Sequence, residues 1–192
     1  MTQTHKRILK LTMTAVFTAL IAVCSWITVP IPVIPFTMQL FAVFTALCML
    51  GGKYGTLSVV LYIALGAVGV PVFAGFRGGI GVLLGATGGY LVGFVVLALV
   101  YWLITARRRV SIRTQVIALV AGQFSCYAFG TAWYLFAYTE KTGLAGIGSA
   151  LMMCVVPYIL PDLVKLGLAV TVSRLIGKRT HFDPASATRK EA

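Results

Sequence analysis

The chain has 192 residues, of which 59% are hydrophobic and 10% charged, and it carries a formal net charge of +12. A soluble domain of this length has no interior large enough for so much apolar surface, so the composition defines an integral membrane protein. The lysines and arginines collect at the ends of apolar segments rather than along one polar face, which excludes a nucleic-acid surface. The four cysteines sit singly in apolar segments while His5 and His181 lie in the tails, so neither a metal site nor a disulfide framework is indicated.

Residues 1–10 form a basic tail with Lys6, Arg7 and Lys10. The apolar run that follows continues to Val29 without a small-residue cleavage site, and so reads as a retained first span rather than a signal peptide. A crossing needs about 20 apolar residues. Six stretches qualify: 11–29, 36–52, 54–71, 88–106, 114–138 and 148–176. Between them stand Pro30, Pro32 and Pro35; Gly51, Gly52 and Lys53; a glycine-rich stretch from Gly75 to Gly89; Arg107 to Arg113; and Glu140 to Gly148. The predicted architecture is an all-α, six-transmembrane-helix bundle over residues 11–177, followed by a polar tail over 178–192.

Charge sets the orientation. With a cytoplasmic N-terminus and six spans, the inner segments hold Lys6, Arg7, Lys10, Lys53, Arg107, Arg108, Arg109, Arg113, Arg174, Lys178, Arg179, Arg189 and Lys190. The outer loops hold only Arg77 and Lys141. This asymmetry satisfies the positive-inside rule at every loop, and five or seven spans would break it at the C-terminus. Both termini are therefore expected in the cytoplasm.

Two outer loops are unusual. The segment Val29-Pro30-Ile31-Pro32-Val33-Ile34-Pro35-Phe36 is apolar and proline-stiffened, which favours extended backbone. It reads as a lid, or else as a rigid connector between spans. The second loop, from Phe73 to Gly81, supplies aromatic rings, the cation of Arg77 and glycines that permit close backbone approach, or equally tight helix packing. It matches neither a P-loop nor a dinucleotide-binding fingerprint.

Among the four acids only Asp162 lies inside a long apolar stretch, with Lys165 three residues beyond; Glu140 is in a short polar loop, and Asp183 and Glu191 are in the tail. Ionisable groups in a bilayer cost roughly 2.5–3.5 kcal/mol each on insertion scales, and they face a bundle interior or a polar cavity. Asp162 is about 18 Å along a helix from Arg174, in the outer half of the hydrocarbon core. Pro161 is expected to restart the helix, leaving Asp162 in a first turn where the dipole favours an anion. An intrahelical ion pair explains the spacing structurally, but apolar residues would stabilise such a site as well. The functional reading is an acceptor and a donor side by side, recognising a small polar head group.

The ordered run Gly51-Gly52-Lys53-Tyr54-Gly55, Ser58, Tyr62, Leu65-Gly66, Gly69-Val70-Pro71-Val72-Phe73, Gly85-Ala86-Thr87-Gly88-Gly89-Tyr90 and Pro161-Asp162-Leu163-Val164-Lys165 resembles the BioY family. These are biotin-specific substrate-binding S components of energy-coupling factor transporters, and the similarity spans most of residues 11–177. The resemblance implies a six-helix protein that binds biotin from outside beneath a first-loop lid. Asp162 and Lys165 match the family's D-x-x-K, Tyr90 its G-G-Y and Gln39 its glutamine after the first loop. Ala86 departs from the proline common at that position, and Arg77 occupies a variable loop position.

Biotin has a ureido ring with two N–H donors and one carbonyl, an apolar bicycle and an anionic chain. Asp162 is expected to accept a ureido N–H and Lys165 to donate to the carbonyl. Tyr90 and Gln39 would complete the polar set, Phe36, Phe73 and Tyr158 would cover the bicycle, and Arg77 would attract the carboxylate.

No Walker motif or Mg²⁺-binding acid is present, so the chain does not itself hydrolyse ATP, and no catalytic cluster in the spans suggests an enzyme. Nor is a cofactor implied. Ala15, Ala19 and Ala22 match the small-residue pattern through which S components contact a membrane scaffold subunit, which works with two ATP-binding subunits; the same pattern serves general helix packing. The competing reading is a stand-alone proton-coupled carrier, against which the pairing of Asp162 with Lys165 argues.

Overall fold

A computed structural model describes residues 3–29, 35–107, 111–142 and 147–180. In chain order its elements are α1 (Gln3–Trp26), β1 (Thr28–Val29), β2 (Phe36–Thr37), α2 (Gln39–Ala67), α3 (Ile80–Leu83), α4 (Gly88–Arg107), α5 (Ile112–Thr142), α6 (Ile147–Cys154) and α7 (Val156–Thr180). The expected all-α body carries one small exception. Thr28 pairs with Thr37 and Val29 with Phe36 in an antiparallel ladder, consistent with the extended backbone that a proline-rich loop favours. Pro30 to Ile34, the centre of the expected lid, lie outside the described residues.

Among the described residues, five stretches are long and apolar enough to cross a membrane: Arg7–Trp26, Gln39–Ala67, Gly88–Arg107, Ile112–Ala137 and Ile147–Gly177. Their outer faces are apolar as well, with Leu103, Phe124, Leu160 and Leu163 all more than half exposed, as lipid contact requires and water would penalise. The second stretch is the axis of the bundle. It packs on α1, α4 and α7, and its apolar window is 78% buried against 28% for that of 147–177.

Expected spans 36–52 and 54–71 meet inside α2, which is interrupted at Gly51 (φ 77°, ψ 180°). That conformation is essentially restricted to glycine. The chain folds back there: a Cβ on Gly55 would lie 2.9 Å from Leu47 Cα, whereas eight residues of continuous helix rise about 12 Å. Gly51→Ala is expected to destabilise the protein by about 1–3 kcal/mol, read as a lower unfolding midpoint in detergent. An unchanged midpoint would contradict this account of the turn.

The last expected span also divides, and here the sequence reading needs correction. α7 starts at Val156, Pro161 is interior to it, and its first turn holds no acid. Pro157 occupies the first turn, where a missing N–H costs nothing because that donor has no helical partner. Pro161 therefore interrupts an established helix rather than opening one. Asp162 lies a turn deeper than expected, so the dipole of a first turn does not account for its charge.

Buried hydroxyls are satisfied in the way an apolar solvent demands. Thr14, Thr18, Thr45, Thr105 and Ser173 donate to the carbonyl four residues earlier. Thr18 also donates to the Ser58 carbonyl, and Ser58 Oγ to that of Thr14, both at 3.2 Å, which ties α1 to α2. At the other end of α1, Ser25 and Tyr62 both donate to the Val72 carbonyl. Trp26 Nε1 donates to Pro71 O at 3.1 Å and its ring stacks on Phe76. The loop carrying Phe73 and Arg77 is thus moored to α1 and α2.

Candidate binding site

Asp162 and Lys165 sit one turn apart on the inner face of α7, 7% and 5% exposed. Lys165 Nζ donates to Asp162 Oδ1 at 2.9 Å. The other carboxylate oxygen accepts the Tyr127 hydroxyl at 2.6 Å and Gln123 Nε2 at 3.2 Å. Three donors, two of them from α5, surround an acid that has left water. Phe36, brought over by the β1–β2 ladder, places its ring centroid 3.9 Å from Lys165 Nζ, a cation–π contact that shields the ammonium.

These groups border a chamber of about 450 Å³ whose wall includes Pro35, Thr37, Tyr90, Phe94, Gln123, Tyr127, Cys154, Tyr158, Asp162 and Lys165. A second chamber of about 430 Å³ shares Pro35, Thr37, Tyr90 and Phe94 with it and continues to Gln39, Phe73, Ala74, Arg77 and Thr87. The two chambers differ chemically. The first holds the buried ion pair; the second ends at the exposed guanidinium of Arg77, whose Nε donates to Ala74 O.

The expected residues are distributed between them. Asp162, Lys165 and Tyr158 line the first chamber, while Gln39, Phe73 and Arg77 line the second. Tyr90, opening α4 after Gly88-Gly89, belongs to both, and its hydroxyl is 3.0 Å from Thr131 Oγ1. Phe36 covers Lys165 rather than either chamber's floor. Gln39 is 3% exposed, and its Nε2 has no hydrogen-bond partner among the described residues. On α1, Ala15 and Ala19 face outward, but Ala22 turns into the core.

Gln123 and Tyr127 escaped the sequence reading. They are four residues apart, hence on one face of α5, and an amide in the middle of span 114–138 was the available signal.

A bundle of apolar helices around a chamber that holds a buried charge pair defines a membrane protein built to bind a small polar solute. The BioY family model matches residues 1–182, and the chain belongs to that family. It is 42% identical to the biotin transporter BioY of Thermotoga maritima over 163 residues, covering 85% of this chain and 92% of that one. It is 36% identical to a probable biotin transporter BioY of Pyrococcus horikoshii over 171 residues, 89% and 98% of the two chains. The crystal structure of the S-component for biotin from an ECF-type ABC transporter superposes with a TM-score of 0.80 at 27% identity, covering 93% of this chain and 95% of that one. These relatives are transporters or transporter components, not enzymes.

Proposed function

We propose that this chain is the biotin-binding component of a vitamin uptake transporter in a prokaryotic cell membrane, energised by a separate scaffold subunit and two ATP-binding subunits. The observation that carries the reading is the buried Asp162–Lys165 pair at the wall of the first chamber. An acceptor beside a donor suits a ureido ring, which presents N–H groups beside a carbonyl. The names of the relatives specify the same ligand. Asp162 accepts a ureido N–H and Lys165 donates to the carbonyl, both charge-assisted bonds in a dry site. Tyr158 and Tyr90 flank the bicycle. The acidic chain extends past Tyr90 into the second chamber, where Phe73 covers it, Gln39 Nε2 supplies an unused donor and Arg77 attracts the carboxylate. Phe36 closes over the pair through its ring contact with Lys165.

Counting the expected spans 36–52 and 54–71, which meet at the Gly51 turn, as separate crossings gives six in all, and the distribution of Lys and Arg then assigns both termini to the cytoplasm. Residues 11–177 form the binding body between two polar tails. The outward Ala15 and Ala19 supply a small-residue face for the scaffold subunit, with Ala22 turned into the core behind it.

The test is reconstitution. The purified chain in proteoliposomes is expected to retain biotin yet move none across the bilayer until scaffold, ATP-binding subunits and ATP are supplied. Uptake by the chain alone, abolished by collapsing a proton gradient, would identify a stand-alone carrier instead.

A further inference from the structure

The polar end of the first chamber holds one more recognition group than the charge pair. Asp162 has about four acceptor positions as a carboxylate, and three are filled: two on Oδ2 by Tyr127 and Gln123, one on Oδ1 by Lys165. Among the described residues, one position on Oδ1 remains. A cyclic urea carries its two N–H groups on opposite sides of the carbonyl, so one carboxylate oxygen cannot take both. A second acceptor is needed on the far side.

Gln123 has the chemistry for it. A carboxylate only accepts, so the side-chain amide must turn its nitrogen to Asp162. Its Oε1 then faces elsewhere, and that oxygen is buried without a hydrogen-bond partner among the described residues. Gln123 borders the same chamber as Asp162 and Lys165. Burying an unpaired carbonyl is costly in a low-dielectric interior, and an arriving N–H donor removes the cost. Tyr127 has a different part. Its hydroxyl already donates to Asp162 Oδ2 at 2.6 Å, which fixes the orientation of the carboxylate.

We infer that Gln123 is a specificity-determining residue, its Oε1 accepting the second ureido N–H, and that Tyr127 is a positioning residue for Asp162. This rests on the biotin-binding reading above. The consequence is selectivity for a ring with both N–H groups intact.

The experiment is equilibrium binding, in detergent, of biotin and of the two biotin derivatives methylated on one or the other ureido nitrogen. Wild-type protein is expected to bind each derivative at least about tenfold more weakly than biotin. Gln123→Met is expected to weaken biotin by about tenfold or more. It should have almost no further effect on the one derivative whose methyl replaces the N–H that Gln123 reads, while weakening the other. Tyr127→Phe should weaken all three ligands by a common factor, as loss of positioning does. A wild-type protein that tolerates either methylation within about twofold overturns the inference, whether or not the variants fold. So does a common factor for all three ligands with Gln123→Met, because Gln123 would then act only through Asp162. Folded wild-type protein that binds no biotin overturns the parent reading and this one with it.

Discussion

Replacing the charge pair by apolar residues of similar size, Asp162→Leu together with Lys165→Met, is expected to abolish biotin binding while leaving the protein close to wild type in thermal stability. The single change Asp162→Ala should be far worse for the fold. It strands the Lys165 ammonium, 5% exposed, with an aromatic face but without its carboxylate, and breaking one member of a buried pair costs about 3–5 kcal/mol. Lys165→Met should be milder than Asp162→Ala, because Asp162 keeps the donors Tyr127 and Gln123. Removing both charges deletes two desolvation costs at once, and apolar replacements of buried pairs are often neutral or stabilising by about 1–4 kcal/mol. Against that stands about 1–3 kcal/mol for each polar group left unpaired, here the α5 donors. Two stranded donors cost about 2–6 kcal/mol against that gain of about 1–4, so the two effects offset to within a few kcal/mol. Thermal unfolding in detergent and equilibrium biotin titration measure both consequences on the same samples. If the double variant were as unstable as Asp162→Ala, the pair would hold the bundle together and its use in binding would be incidental. If Asp162→Ala bound biotin within about threefold of wild type, a loss under about 1 kcal/mol, the assignment of the site would be wrong.

That comparison turns on a distinction the amino-acid sequence expresses only in part. An acid and a lysine three apart in an apolar stretch are visible without a structure, because a bilayer tolerates so few such residues that each one asks for a reason. Their partners are visible only as an amide and a tyrosine in another span, with nothing to say that they meet the pair. Gln123 and Tyr127 acquire their roles through the packing of α5 beside α7, and their own span is apolar on every side, so no periodicity marks one face as the inner one. The same limit explains the proline error. Pro157 and Pro161 are each able to open a helix, and only the break at Val155, set by how α6 meets α7, decides which one does. Punctuation by glycine was more legible. Gly51-Gly52 marked the junction between two expected spans, and Gly51 adopts a conformation essentially closed to other residues. The division of the site into two chambers was not legible at all. It depends on Tyr90 and Phe94 of α4 standing between Asp162 and Arg77, residues that sequence places far apart.

Enlarging Gly66 is expected to damage stability and binding together. A Cβ at this position would overlap the Phe73 ring, so the ring cannot stay where it is. Phe73 is 1% exposed and meets Tyr62 edge to face at 5.5 Å. Its backbone pairs with Arg77, and Gly79 N donates to Gly66 O at 2.7 Å. The loop therefore cannot slide away without breaking the bonds that seat it. Gly66→Val should expel the ring, at a cost comparable to deleting it, about 3–5 kcal/mol for a core phenylalanine. Because Phe73 and Arg77 line the second chamber, biotin affinity should fall in the same variant. The cause can be separated from a general helix defect by a double-mutant cycle. Phe73→Ala vacates the space that the valine needs, so Gly66→Val combined with Phe73→Ala should be clearly more stable than the sum of the two single changes predicts. Strict additivity of the unfolding free energies would mean that Gly66 and Phe73 do not share this space.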